Sequence, residues 1–172
     1  MKALNLLQDL FRHMEWADAT VWRSVVSSPA ALTDERIKNY LHHIHMVQHA
    51  FINVWREQPR SANAGSDLAV TELPEWGRQF HQLAGPYVQA LSEEDLDSPL
   101  VMPWAKHLTK HLGHDPDITS KGETILQVAA HSNYHRGQVN ARLRELGGEP
   151  PLVDYIAWIW LGKPVAHWVT AS

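Results

Sequence analysis

Apolar residues recur at three-and-four spacing over residues 2–27 (Leu6, Leu7, Leu10, Phe11, Met14, Ala17, Val21, Trp22 and Val25), with charged residues between them. That period predicts an amphipathic helix. Ser27, Ser28 and Pro29 break it, and Thr33 followed by Asp34, Glu35 and Arg36 reads as the N-cap and acidic first turn of a second helix running to about Glu57. Its apolar stripe is Ile37, Tyr40, Leu41, Ile44, Val47, Phe51 and Trp55, and Gln58-Pro59 with the small, polar run Ser61–Asp67 predicts a loop. A third helix opens at Pro74 and carries Trp76, Phe80, Leu83, Tyr87, Val88 and Leu91, with a kink expected at Gly85-Pro86. Residues 92–120 have no sustained period and contain Pro99, Pro103, Gly113 and Pro116, so a long crossover is expected, with short extended pieces near Leu100 to Met102. The fourth helix starts at Lys121 to Glu123 and runs to Leu146, where Gly147-Gly148 and Pro150-Pro151 stop it. Leu152–Leu161 is apolar nearly all round, which predicts a short final helix packed across the bundle end or in a dimer contact.

Four long helices, no strand pattern and one long connection predict an all-α four-helix bundle with a long crossover between helices 3 and 4 and a short C-terminal helix, as a single domain over 1–172. A chain of 172 residues buries a full core without staples. It has no cysteine, which removes disulfides, thiolate metal sites and a Cys nucleophile and fits a reducing compartment, the cytoplasm. No apolar run reaches the length of a membrane span, and Asp9 and Arg12 interrupt the N-terminal segment before a signal-peptide core develops. With 15 Lys and Arg against 19 Asp and Glu, and no basic cluster, neither nucleic acid nor an anionic membrane is the expected partner.

Twelve histidines and eight tryptophans are many for this length, and they direct the search for function. His131 and His135 are four residues apart, so they lie only ~40° apart on one helix face. The stripe Val128, His131, His135, Val139, Leu146 turns that face toward the bundle. Two imidazoles there need partners, and a shared metal ion is an economical one. Helix 2 supplies His42, His43, His45 and His49. Against its apolar stripe His42 and His49 point away and are expected to be solvated, while His43 and His45 flank the core direction on opposite sides, and periodicity does not choose between them. Gln48 and Gln138 are candidate polar supports for the ligands. Ser132 stands where a zinc protease of the HExxH type needs its glutamate, which argues against that hydrolysis. His107, His111 and His114 with Asp115 and Asp117 form a second cluster in the crossover, read as a solvated patch. His13, His81 and His167 are isolated, and Trp104, Trp158 and Trp160 are expected in packing.

The run His131-Ser-Asn-Tyr-His135-Arg136-Gly137-Gln138, then Leu146-Gly147 and Pro150-Pro151 through Asp154, resembles the DinB-like (YfiT-like) family of four-helix bundles. Trp16-Ala17-Asp18 stands where members carry a Trp-Ala-Asn segment, so the resemblance spans nearly the whole chain. It implies two metal ligands at His131 and His135 and a third at His43, from the His43-Ile44 pair. Gln127 departs from a further histidine common in the family. The resemblance also implies a structural pair between Arg136 and Asp154, and a homodimer. Family members include enzymes whose divalent metal activates a small thiol, which makes a thiol transferase or isomerase, or activation of water, the expected chemistry. The ion would be zinc or nickel, with iron or copper also accepted by imidazole. The competing expectation is a non-catalytic dimeric bundle with a structural or vestigial metal site.

Overall fold

The computed structural model describes residues 2–59 and 65–169. The architecture is all-α: four long helices, α1 (Ala3–Val26), α3 (Glu35–Trp55), α4 (Leu73–Gln89) and α7 (Lys121–Glu145), carry the short helices α2 (Pro29–Leu32), α5 (Glu93–Leu96), α6 (Thr109–Leu112) and α8 (Tyr155–Trp160) between and after them. The crossover holds α5, a single turn of 3₁₀ helix at Ala105–Leu108, α6 and a two-residue antiparallel ribbon in which β1 (Pro99–Leu100) pairs with β2 (Thr119–Ser120). Among the described residues no helix is long and apolar enough to cross a membrane.

Helix ends follow local chemistry. Asp34, not Thr33, caps α3, its carboxylate accepting the Ile37 amide at 3.0 Å. Thr33 is drawn off by the preceding turn, where its hydroxyl reaches the carbonyls of Pro29 and Ala30. Ser120 and Glu123 form a reciprocal capping box at the start of α7. Gly147, at φ +79°, takes the left-handed conformation that ends it. The kink expected at Gly85-Pro86 does not interrupt α4, which continues through Pro86 to Gln89. Pro86 cannot donate the bond that would reach the Gln82 carbonyl, and the helix ends three residues later at Gln89. The predicted Ser61–Asp67 loop lies mostly outside the described residues.

Each long helix packs against two others: α1 and α3 both contact α4 and α7. Arg142 near the end of α7 pairs with Asp34 at the start of α3 (2.6 Å), while Trp55 at the end of α3 donates to Thr124 at the start of α7 (3.0 Å). The two helices therefore run antiparallel. Two apolar clusters fill the bundle, one around Phe11, Met14, Phe51, Phe80 and Ile125, the other around Trp22, Ile37, Leu41, Ile44 and Leu143. Trp158 of α8 packs on Trp16 and Ala17 of α1 and donates its indole N–H to the Pro164 carbonyl at 3.0 Å.

A connected polar network crosses the centre between these clusters. Asp18 of α1 is buried, and its carboxylate accepts from Arg136 of α7 (2.7 Å), His81 of α4 (2.9 Å) and Gln48 of α3 (2.8 Å). Gln48 also donates to Ser132 of α7 (3.1 Å) and pairs through its carbonyl oxygen with Nδ1 of His45 (2.8 Å). Trp22 donates to Nε2 of His45 at 2.8 Å. Because Trp22 only donates and the Gln48 oxygen only accepts, His45 is a neutral imidazole with its proton on Nδ1. Helix α4 approaches this ring so closely that a Cβ built on Gly77 would lie 2.4 to 2.8 Å from its atoms. Arg136 pairs with Asp18 rather than with Asp154, correcting the expected Arg136–Asp154 pair. The guanidinium is buried, whereas Asp154 is exposed at the start of α8.

Burial pushes the His45 imidazole down to about 4, against an ordinary value of 6.5. The unfolded chain therefore takes up this proton first as pH falls, and the stability owed to neutral His45 is present above pH 6.5 and lost between 6.5 and about 4. The shift corresponds to a few kcal/mol, on the order of 3. His45→Gln should flatten the pH dependence of the urea-unfolding free energy across that window relative to wild type. Parallel profiles would show that the ring titrates as it does in the unfolded chain.

Candidate metal centre

His43 on α3 and His131 and His135 on α7 converge on the groove between these antiparallel helices. The facing ring nitrogens of His43 and His131, both Nε2, are 3.2 Å apart. One donor atom from each of the three residues lies within 4.8 Å of the others. A tetrahedral ion with bonds of 2.0 to 2.1 Å to imidazole nitrogen separates its donors by roughly 3.3 Å, so the arrangement is on the scale of a shared ion. It is the one group of three or more metal-ligating side chains found among the described residues.

Protonation states favour donation to a cation. Nδ1 of His135 sits 2.5 Å from Oε1 of Gln138, an acceptor, so Nδ1 carries the proton and Nε2 keeps its lone pair. Nδ1 of His131 is buried without a partner. With its proton on that nitrogen, Nε2 of His131 is likewise free to donate. Burial, reinforced by the neighbouring His135 and His43, pushes His131 down to about 4, and burial with His135 and His42 nearby holds His43 below its ordinary value. Both rings are neutral at pH 7, the form that binds metal.

All three rings are half-buried. The most buried line of α7 runs through Ile125, Val128, Ser132, Arg136, Val139 and Leu143, so His131 and His135 lie at its edge rather than on it. Leu146, counted in the predicted stripe, is only half-buried. Polar Ser132 and Arg136 claim the centre because Gln48 and Asp18 await them there. The edge position leaves the site open toward solvent, where exposed Tyr134 stands edge-on to His135 at 5.0 Å. Three protein nitrogens with an open side match catalytic metal sites more closely than closed structural ones.

On α3, His45 is fully buried and His43 is the residue that reaches α7. Gln138 bonds the His135 ring, whereas Gln48 serves the central network. His42 and His49, expected in solvent, are half-buried against Trp76 of α4. His49 stacks on the indole at 4.8 Å and bonds the Trp76 carbonyl at 2.8 Å. The helix stripe missed this because α4 covers a flank of α3 where polar residues were expected to face water. His107, His111 and His114 are exposed and do not gather into a metal-sized group. His81, left unassigned by its isolation, is a buried partner of Asp18. His13 is buried too, bonded to the Val153 carbonyl at 2.8 Å. Trp104 packs edge-on against Phe51 at 5.2 Å, and Trp160 is exposed.

The model of the DinB family matches residues 1–164. The chain belongs to the DinB family. No curated protein matches it. Family membership and the histidine cluster together support divalent-metal binding as the property to test first.

Replacing Gln138 by Leu removes the acceptor that orients His135 and should weaken zinc affinity about 10- to 100-fold with little loss of folding stability. A chelator competition titration reads the change. An unaltered dissociation constant would show that His135 needs no such support.

Proposed function

We propose that this DinB-family chain is a single-domain metal-dependent enzyme that holds one divalent ion, zinc or nickel, through His43, His131 and His135 and uses its open side for a small thiol or water. The observation that carries this reading is the convergence of three histidines, two of them held neutral, at a half-buried groove between two antiparallel helices. A bound ion there supplies Lewis acidity that lowers the pKa of a coordinated thiol or water. The chain's own part is to present neutral nitrogens and to fix His135 through Gln138. The absence of an HExxH glutamate, with Ser132 buried under Gln48 at that position, favours thiol chemistry over peptide hydrolysis.

Metal analysis by mass spectrometry of untagged protein should find about one ion per chain, lost in His43→Ala and in His131→Ala but kept in His107→Ala. The loaded protein, but not these two variants, should then transfer a small thiol to an electrophile. Metal bound with no turnover toward any thiol and electrophile would favour the non-catalytic module, and unchanged stoichiometry in the variants would remove the site.

The outer face of α8 supports a homodimer. Ile156, Trp160 and Leu161 expose apolar surface there, Trp160 being 78% exposed. An apolar face of this kind is a usual dimer contact. Light scattering should give twice the chain mass, falling toward one mass in Trp160→Glu; a monomeric wild type rules the dimer out.

A further inference from the structure

The group of His43, His131 and His135 stands in a stretch of the bundle without carboxylates. Helix α3 carries one, Glu35, and α7 carries two, Glu123 and Glu145. Each lies more than two helical turns from the nearest of the three histidines, about 12 Å or more along the axis, which exceeds the screening length of ~8 Å at physiological salt. No carboxylate reaches the rings from another element either: burial and neighbouring imidazoles are what act on His43 and His131. The one cation beside the group, Arg136, is balanced by Asp18. The solvent-facing rim is neutral as well. Gln127 lies four residues before His131, only ~40° from it around α7, and it is exposed and makes no hydrogen bond among the described residues. Exposed Tyr134 stands edge-on to His135.

Three neutral imidazoles leave the double positive charge of a divalent ion uncompensated, and one thiolate cancels only half of it. The remaining positive charge acts on whatever else the thiol carries. We propose that this uncharged rim makes the site selective for small thiols that carry a second, anionic group, and that Gln127 is the residue on it that determines the preference. This selectivity rests on the metal and thiol reading above and adds to it the charge of the substrate. A carboxylate at position 127 would oppose the residual charge from the protein's side, whereas the neutral amide leaves that charge to the substrate's own anion. A unit charge about 6 Å from the ion, in the intermediate dielectric of a half-buried groove, changes affinity roughly tenfold.

Three two-carbon thiols that differ in remote charge test this: 2-mercaptoethanesulfonate, 2-mercaptoethanol and thiocholine, whose quaternary ammonium cannot chelate. Each is titrated into the cobalt-loaded full-length protein, with the thiolate-to-cobalt charge-transfer absorption as the readout and affinity expressed per thiolate. The expected order is sulfonate, hydroxyl, ammonium, with about tenfold between steps. Gln127→Glu, isosteric and at an exposed helix position, should shrink the spread between the sulfonate and the ammonium thiol at least threefold, while the neutral Gln127→Met should keep it. Equal affinities for the three thiols, an unchanged spread in Gln127→Glu or a lost spread in Gln127→Met overturn the selectivity and leave the metal and thiol reading standing. A protein that takes up no cobalt, or takes it up without a thiolate band, overturns both.

Discussion

The carboxylate of Asp18 is the point on which the four long helices agree. One buried side chain of α1 accepts hydrogen bonds from α3, α4 and α7 through Gln48, His81 and Arg136. Burial raises the energy of the charged carboxylate, yet the adjacent guanidinium and imidazole hold Asp18 well below its ordinary pKa. Such a group contributes little net stability compared with apolar packing of the same volume, but removing one partner strands a buried charge, which typically costs about 3 to 5 kcal/mol. Its contribution is therefore to specificity of arrangement. A bundle in which any of the four helices rotates or slides must leave Asp18 or Arg136 unpaired, while the apolar clusters around it tolerate small shifts.

The cluster of His43, His131 and His135 inherits its geometry from that constraint. Gln48 faces inward because Asp18 and Ser132 are there to receive its amide, and His45, three residues earlier on the same face, follows it inward to meet Trp22 and the bare backbone of Gly77. Two residues before His45 the helix has turned by about 200°, so His43 points to the flank, where α7 packs. The register of α7 is fixed independently at both ends by Arg142 with Asp34 and by Trp55 with Thr124. His131 and His135 then fall opposite His43 without any contact among the three rings having to build the cluster. A group preformed in this way would spend little binding energy on ordering its three rings around an ion.

The helices were legible because burial imposes a period on the sequence, and their ends because caps use few residue types. The crossover was legible only as a lack of period. The core direction was harder to read. Counting apolar residues placed Tyr40, Val47 and Leu146 on the buried stripes of α3 and α7, and the structure gives much of that space to His45, Gln48, Ser132 and Arg136. A hydrophobicity pattern treats polar residues as outward by rule, so a polar centre rotates the true stripe away from the apparent one. The same bias sent His42 and His49 to solvent, when Trp76 covers them. The choice of His43 over His45 lay beyond periodicity and came from resemblance, since it depends on contacts between helices far apart in sequence. One local signal did exist: Asp18 interrupts an otherwise apolar face of α1 between Met14 and Trp22, and an unexplained carboxylate there asks for a buried cation.

Arg136 links the two halves of this picture through its position next to His135. A guanidinium one residue from His135 would, if unpaired, repel a divalent ion in the groove across a short, poorly screened distance. Asp18 at 2.7 Å cancels most of that field, and because the pair is buried its cancellation is hardly altered by salt. The carboxylate that arranges the helices thus also makes the groove between α3 and α7 electrostatically acceptable to a cation. A single buried ion pair therefore ties together the packing of the four helices and the electrostatic character of the groove, in which a cation would meet neutral nitrogens.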